Sequence, residues 1–174
     1  IKGGKSIDTS MGLTPTGGVV MGTRSGDLDP GVLAYLVREK SFNAGMLDDM
    51  LYHRSGLLGI SGISADSRDL ISSKDPKARE ALELFAFRIA RETAAITVAL
   101  GGLDGIVFTA GIGQHQPEIR AAICKHLGWL GVVIDAAANA RNATRIEAAD
   151  SKVVVMVVPT DEELVIAQEA LSII

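Results

Sequence analysis

One arginine, Arg24, stands in a segment otherwise built of small, polar and apolar residues, MGLTPTGGVVMGTRSGD, residues 11–27. A planar guanidinium with several donors can meet the charge that spreads over the oxygens of a moving phosphoryl group. Gly22 and Gly26 on either side would let such a group approach the backbone. The same arginine could equally be a brace that donates to loop carbonyls.

Three further stretches carry residue types suited to a nucleotide. VFTAGIGQHQPEIR, residues 107–120, reads as a strand that ends in Gly111-Ile112-Gly113 and passes into a helix at Pro117. Glycines at such a turn let backbone N–H groups approach a phosphate, and ligands sit at the carboxyl ends of parallel strands. A tight strand-to-helix turn needs the same small residues, and the third glycine of a dinucleotide fingerprint is absent. VVPTDEELVIA, residues 157–167, places Thr160 as a helix cap with Glu163 three residues on. Glu162 is then available to hold a hydrated Mg²⁺, for which one or two carboxylates suffice, or merely favours the helix N-terminus. In SADSRDL, residues 64–70, Asp66 could accept from a ribose hydroxyl and Arg68 could lie on a base. Asp66-Ser67 is also a helix cap, and Arg68 is then a plain surface charge. His53 and His126 lie on helices, where a structural part fits better, whereas His115 lies inside the glycine-rich stretch.

The elements that must position these groups can be read from pattern. Asp29-Pro30 opens a helix, and Asn43 caps a second that Gly56 ends. LLGISGISADSRDL, residues 57–70, is rich in Gly and Ser and predicts a loop. Asp75-Pro76 opens a long helix to about Leu100. Ala78, Leu82, Phe85, Ile89 and Ile96 trace one apolar stripe on it, and Leu84, Phe87, Ala94 and Val98 a second, which predicts burial on two sides. Apolar runs at 105–110 and 153–158 predict fully buried strands, parallel to each other through a right-handed crossover, with the 76–100 helix on the sheet. No internal repeat and no long linker divides the chain. KGGK near the start predicts a hairpin turn, and SIDTS after it an edge strand whose partner lies outside the chain. The sequence thus reads as part of a larger protein.

Composition narrows the class. Of 174 residues, 47% are hydrophobic but only 4% aromatic, so the core must be aliphatic. A net charge of −4 with no long run of one sign argues against nucleic acid or a membrane surface as partner. Cys124 is the single cysteine, so an internal disulfide is impossible and a reducing cytoplasm is the simplest setting. It is expected to be a small buried residue.

The stretch from Asp8 to Pro30 closely resembles a signature of the acetate kinase family. The likeness continues through SADSRD, VFTAGIGQHQPEIR and VVPTDEELVIAQEAL in the family's order and spacing, over essentially all 174 residues. It implies an α/β fold, the C-terminal domain of the duplicated actin-like ATPase fold shared with sugar kinases and Hsp70, with a mixed sheet flanked by helices. Residues 1–174 would be the nucleotide-binding and dimerisation domain, with the N-terminal half absent. The family transfers a phosphoryl group reversibly from ATP to acetate, giving acetyl phosphate and ADP, with Mg²⁺ or Mn²⁺. By resemblance Arg24 is the catalytic arginine and Glu162 the metal carboxylate. Asp66, Ser67 and Arg68 match the adenosine-side segment, and Gly111, Ile112, Gly113, Gln114 and His115 the second nucleotide loop. The resemblance also implies a homodimer and an N-terminal half that supplies a phosphate-binding segment, so that this portion alone would be inactive. Gly-Ile-Gly-Gln-His departs from the usual Gly-Ile-Gly-Glu-Asn at Gln114 and His115, and LTPTGG from the usual LTPLEG. A propionate kinase of the same family is the alternative, and a nucleotide-binding or dimerisation module without activity of its own is another.

Overall fold

The computed structural model describes residues 1–173, the side chains of Glu162 and Ser172 excepted. The chain divides into two compact units, Ile1–Leu103 and Asp104–Ile174.

In the first unit, Gly3 and Gly4 take positive φ, and Lys2 and Lys5 exchange both backbone hydrogen bonds, the hairpin turn that KGGK predicts. SIDTS forms no ladder among the described residues. Helix α1 (Pro30–Lys40) begins where Asp29 accepts from the Gly31 N–H and Pro30 presets φ. Helix α2 (Ala44–His53) begins where Asn43 accepts from the Met46 N–H.

The segment expected to be loop folds instead into two short helices, α3 (Gly56–Ser61) and α4 (Ser67–Ser72). Their stability comes from tertiary partners that local composition does not announce. Leu57 and Leu70 are fully buried, and the N–H groups of Leu57 and Leu58 donate to the carbonyls of Met21 and Gly22. Both helices pack on α5 (Pro76–Leu100), which Asp75 caps at its start and Gly101 ends in the left-handed conformation. The burial on two sides expected of α5 is not found: Ala78, Ala81, Phe85, Ala86 and Ala90 are buried, and of the expected stripes only Ala78 and Phe85 are among them. Leu84, Phe87 and Val98 are exposed. Alanines let α3 and α4 approach closely, so the buried face is narrower than an aliphatic stripe suggests.

In the second unit, strands β1 (Gly105–Phe108) and β2 (Val154–Val157) pair in parallel, with Gly105 opposite Val154 and Phe108 opposite Val157. That is the pairing the apolar runs predict. The strands are not fully buried, however, and Val107 is exposed. The described sheet has two strands, so the outward residues of β1 have no covering layer within the unit. Helix α6 (Ala110–His115) follows β1 directly, then α7 (Pro117–His126), a 3₁₀ turn (Gly128–Leu130), α8 (Ala136–Ala140) and, after β2, α9 (Glu162–Ile173). Ile119, Ile123, Cys124 and Leu127 of α7 and its end are buried, as are Ile146, Val153, Val155 and Val157. Each such side chain stabilises the fold by roughly 1.5–3 kcal/mol over its exposed state. Among the described residues no helix is long and apolar enough to cross a membrane.

Candidate functional site

Arg24 sits at the tip of a closed loop. Its neck is Gly18 and Asp27: the Gly18 N–H donates to Asp27 Oδ1 at 2.6 Å, and the Asp27 N–H donates back to the Gly18 carbonyl at 2.9 Å. Arg88 of α5 reaches the Asp27 carbonyl from outside, at 3.3 Å. The Met21 N–H donates to the Arg24 carbonyl at 3.2 Å and tightens the tip. The loop is then clamped to the end of α2. Thr23 Oγ1 donates to the Tyr52 carbonyl at 2.7 Å, the Ser25 N–H to the Leu51 carbonyl, and the Ser55 N–H to the Thr23 carbonyl.

The two glycines that flank Arg24 allow close packing of its loop. A Cβ on Gly22 would stand 2.8 Å from the Ala65 carbonyl oxygen. At Gly26, φ is +66°, and a Cβ would stand 2.7 Å from the Gly18 carbonyl oxygen. Both positions exclude a side chain because protein atoms already fill the space.

The guanidinium itself is left with open donors. Among the described residues its polar and ring partners are Met21 Sδ at 4.0 Å and the face of the Tyr52 ring, whose centre is 6.0 Å from Cζ. No oxygen atom of those residues accepts from it. Arg88 and Arg120 behave differently, since each donates to backbone carbonyls. Tyr52 thus emerges as a partner of Arg24 that sequence reasoning missed. The Thr14 side chain, then that of Thr16, lowers the pKa of its hydroxyl from the ordinary tyrosine value, and the Arg24 charge adds to that.

Asp66 and its neighbours belong to the same unit, and the Gly22–Ala65 approach brings the Arg24 loop against them. Asp66 caps α4: Oδ1 accepts from the Arg68 N–H at 2.8 Å and from Arg68 Nε at 3.0 Å. The Arg68 guanidinium beside it holds the carboxyl down to about 2. Asp66 is therefore a carboxylate at any physiological pH, and Arg68, mostly exposed, lies folded onto it. Ser67 is buried. A cleft of about 460 Å³ also opens on this unit, between Val20, Val32, Met50, Ile60 and Leu84 among others, and Arg24 does not line it.

In the second unit the glycine-rich stretch is a short helix, not an open loop. Thr109 is extended and Ala110 turns the chain at φ +57°, a left-handed conformation that costs a non-glycine residue about 1–2 kcal/mol. The two glycines then divide the work. A Cβ on Gly113 would press on the Phe108 backbone at 3.2 Å, so Gly113 lets α6 pack on β1. A Cβ on Gly111 would meet nothing within 4 Å, so that face is open to a ligand. Ile112 is half-buried and His115 exposed. The Gln114 side chain turns inward, its amide oriented by the donors around it: Oε1 accepts from the N–H groups of Ala110 at 3.0 Å and Thr160 at 3.1 Å.

Arg120, the last residue of the same stretch, is fully buried. It donates to the carbonyls of Gly113 and Gln114 at 2.8 and 3.0 Å, to both oxygens of Asn139, and to Asn142 Oδ1 at 2.7 Å. Its partners are all neutral, and burial lowers its pKa. Sequence reasoning passed over Arg120 as a helix residue. Its signal was weak, an arginine on the apolar face of PEIRAAIC. Cys124, one turn on, is buried as expected, and burial pushes its thiol up to about 12.

At the end of β2 the cap of α9 is Asp161, not Thr160: Asp161 Oδ1 accepts from the Leu164 N–H at 2.9 Å. Glu162 is the first residue of α9, and its side chain, the expected metal ligand, lies outside the described residues. Among the described residues no three His, Cys, Asp or Glu side chains gather. A glutamate at position 162 is by type the oxygen ligand that Mg²⁺ takes, one or two carboxylates beside several waters and substrate phosphates.

A model of the acetokinase family matches residues 1–168. The acetate kinase of Rhodopseudomonas palustris (strain TIE-1) is 55% identical over 166 residues, 94% of this chain and 42% of that protein. The propionate kinase of Citrobacter rodentium (strain ICC168) is 48% identical over 176 residues, 99% of this chain and 44% of that one. Among solved structures, Porphyromonas gingivalis acetate kinase superposes with a TM-score of 0.91 at 40% identity, over 99% of this chain and 45% of that chain. A propionate kinase from Francisella tularensis does so with 0.90 at 43% identity, over 95% and 44%. The chain spans less than half the length of these relatives.

Proposed function

The chain belongs to the acetokinase family, and from that premise we propose that it is the nucleotide-handling C-terminal portion of an ATP:acetate phosphotransferase. The carboxylate oxygen of acetate attacks the γ-phosphorus of ATP. The new C–O–P link forms as the bond from the γ-phosphorus to the bridging oxygen breaks, and ADP leaves. Acetate is already ionised at pH 7, so no general base is needed to make the nucleophile. The protein supplies position and charge, the usual division of labour in phosphoryl transfer.

Arg24 is the catalytic residue in this reading. The observation that supports it most is that its donors are not consumed: a braced loop holds a guanidinium that no described oxygen engages. Such a group gains most when charge spreads over the equatorial oxygens of the transition state. Asp66, Ser67 and Arg68 serve the adenosine side, and the open face at Gly111 receives backbone contacts from the nucleotide, with Ile112, Gly113 and His115 around it. Glu162 would hold Mg²⁺, which neutralises phosphate charge when bound. ATP, acetate, the N-terminal half of the enzyme and a second copy of it are the partners, in the cytoplasm.

Propionate is the second reading, because propionate kinases match at identities comparable with acetate kinases. One methylene is worth about 1–3 kcal/mol of discrimination. Steady-state assay of the full-length enzyme with MgATP and each acid tests both. Transfer to acetate at the higher kcat/KM is expected. A clear preference for propionate establishes the second reading, and no transfer to either acid refutes both.

A further inference from the structure

Beyond the last paired residues of the sheet, Phe108 and Val157, the Val158 N–H still donates to the Phe108 carbonyl. There the ladder stops. The chain after β1 turns sharply at Ala110, and the chain after β2 runs through Thr160 to Glu162. With the Gln114 amide assigned the orientation that the surrounding donors require, one side-chain oxygen spans the gap: Gln114 Oε1 accepts from the Ala110 and Thr160 N–H groups together. Gln114 is itself fixed from behind, since its carbonyl accepts from buried Arg120.

We propose that Gln114 is a positioning residue that ties the left-handed turn at Ala110 to the segment leading into Glu162, and so sets the spacing between nucleotide and metal ligands. The inference rests on the nucleotide and metal assignments above, and it replaces direct contact between the Gln114 side chain and the nucleotide. The geometry asks for an acceptor at the end of a three-carbon reach. A glutamate at 114 meets that demand and an alanine does not. Ala110 holds a conformation that L residues disfavour, and the bond to its N–H is what restrains it from one side.

The test uses Gln114→Ala and Gln114→Glu in the full-length enzyme, with kinetics and amide hydrogen exchange. Gln114→Ala is expected to raise both the KM for MgATP and the Mg²⁺ concentration for half-maximal rate by about three- to tenfold, the usual size of such coupling. The KM for acetate should stay within about twofold, below the range of that coupling. Exchange should quicken in peptides covering 109–112 and 159–162, and Gln114→Glu should restore kinetics and protection. Unchanged exchange in both peptides after Gln114→Ala overturns the bridge. So does a Gln114→Glu variant that folds and exchanges like the wild type yet matches Gln114→Ala in MgATP kinetics, because the amide would then touch the nucleotide. An equal change in both KM values also overturns it. If the wild-type enzyme transfers no phosphoryl group, the functional reading fails, and the exchange result still decides the bridge.

Discussion

The Arg24 guanidinium carbon lies 6.0 Å from the centre of the Tyr52 ring, and the backbone of each residue's neighbour is bound to the other's segment. The ring offers a negative face to the cation without consuming any of its N–H donors. Arg24 is thereby held in place and still able to donate. Tyr52→Leu should lower kcat of the full-length enzyme about two- to fivefold, the worth of an exposed cation–π contact. Tyr52→Phe should stay close to wild type, since it keeps the face. If the Phe variant loses as much as the Leu variant, the hydroxyl matters and the ring does not.

Gly26 and Gly111 should respond oppositely to alanine. Gly26→Ala forces a Cβ onto the Gly18 carbonyl at positive φ, so the melting temperature and kcat should both fall. Gly111→Ala puts a methyl into open space inside a helix, so the melting temperature should hold or rise slightly while ADP affinity falls. Calorimetric titration of the Gly111→Ala enzyme with ADP decides it. Unchanged affinity there would remove the nucleotide from that face.

Arg120 anchors the glycine-rich helix from inside. Arg120→Met leaves the carbonyls of Gly113 and Gln114 and the Asn139 side chain without their donor, each at a cost of about 1–3 kcal/mol. Urea unfolding should show a loss of about 3 kcal/mol or more, at the upper end for single substitutions. Arg120→Lys should recover little, because an ammonium cannot reach all these acceptors in a planar fork. A loss within experimental error for either variant would show that solvent or neighbours replace the guanidinium.

Cys124 gives a pH test with a definite sign. Its folded pKa, about 12, lies above the ordinary 9.0. The stability this contributes is complete below pH 9 and is lost as pH rises from 9 towards 12, because the unfolded thiol ionises first. The wild-type chain should therefore lose stability over that window more steeply than Cys124→Ala. At pH 8 the native thiol should resist a disulfide reagent that labels the urea-unfolded chain within seconds to minutes. Rapid labelling of the native chain would contradict its burial.

How much of this was legible from residues alone depends on where each element finds its partners. The starts of α1, α2 and α5 were legible because Asp29, Asn43 and Asp75 act on N–H groups two or three residues away. The parallel pair was legible because unalternating apolar runs bounded by glycine have few other uses. Helices α3 and α4 were not, because Met21 and Gly22, far back in the chain, supply acceptors at the start of α3 and α5 supplies the surface. The cap of α9 lies one residue further on than expected, since Asp161 and not Thr160 accepts from the Leu164 N–H. The candidate site was legible as types in order, Arg24 and the glycines above all. The reasons for Gly22 and Gly26, the ring under Arg24 and the brace at Arg120 lie in packing, which the order of residues does not display.

The most direct test of the central claim is the kinetics of Arg24→Ala in the full-length enzyme, with MgATP and acetate varied separately. A guanidinium that acts on the transition state should show itself in kcat, by a factor on the order of 10³ or more, with a much smaller rise in the KM for ATP. Arg24→Lys should recover only part of it. A near-normal kcat together with a melting temperature several degrees lower would contradict the account, and would make Arg24 a brace of its own loop.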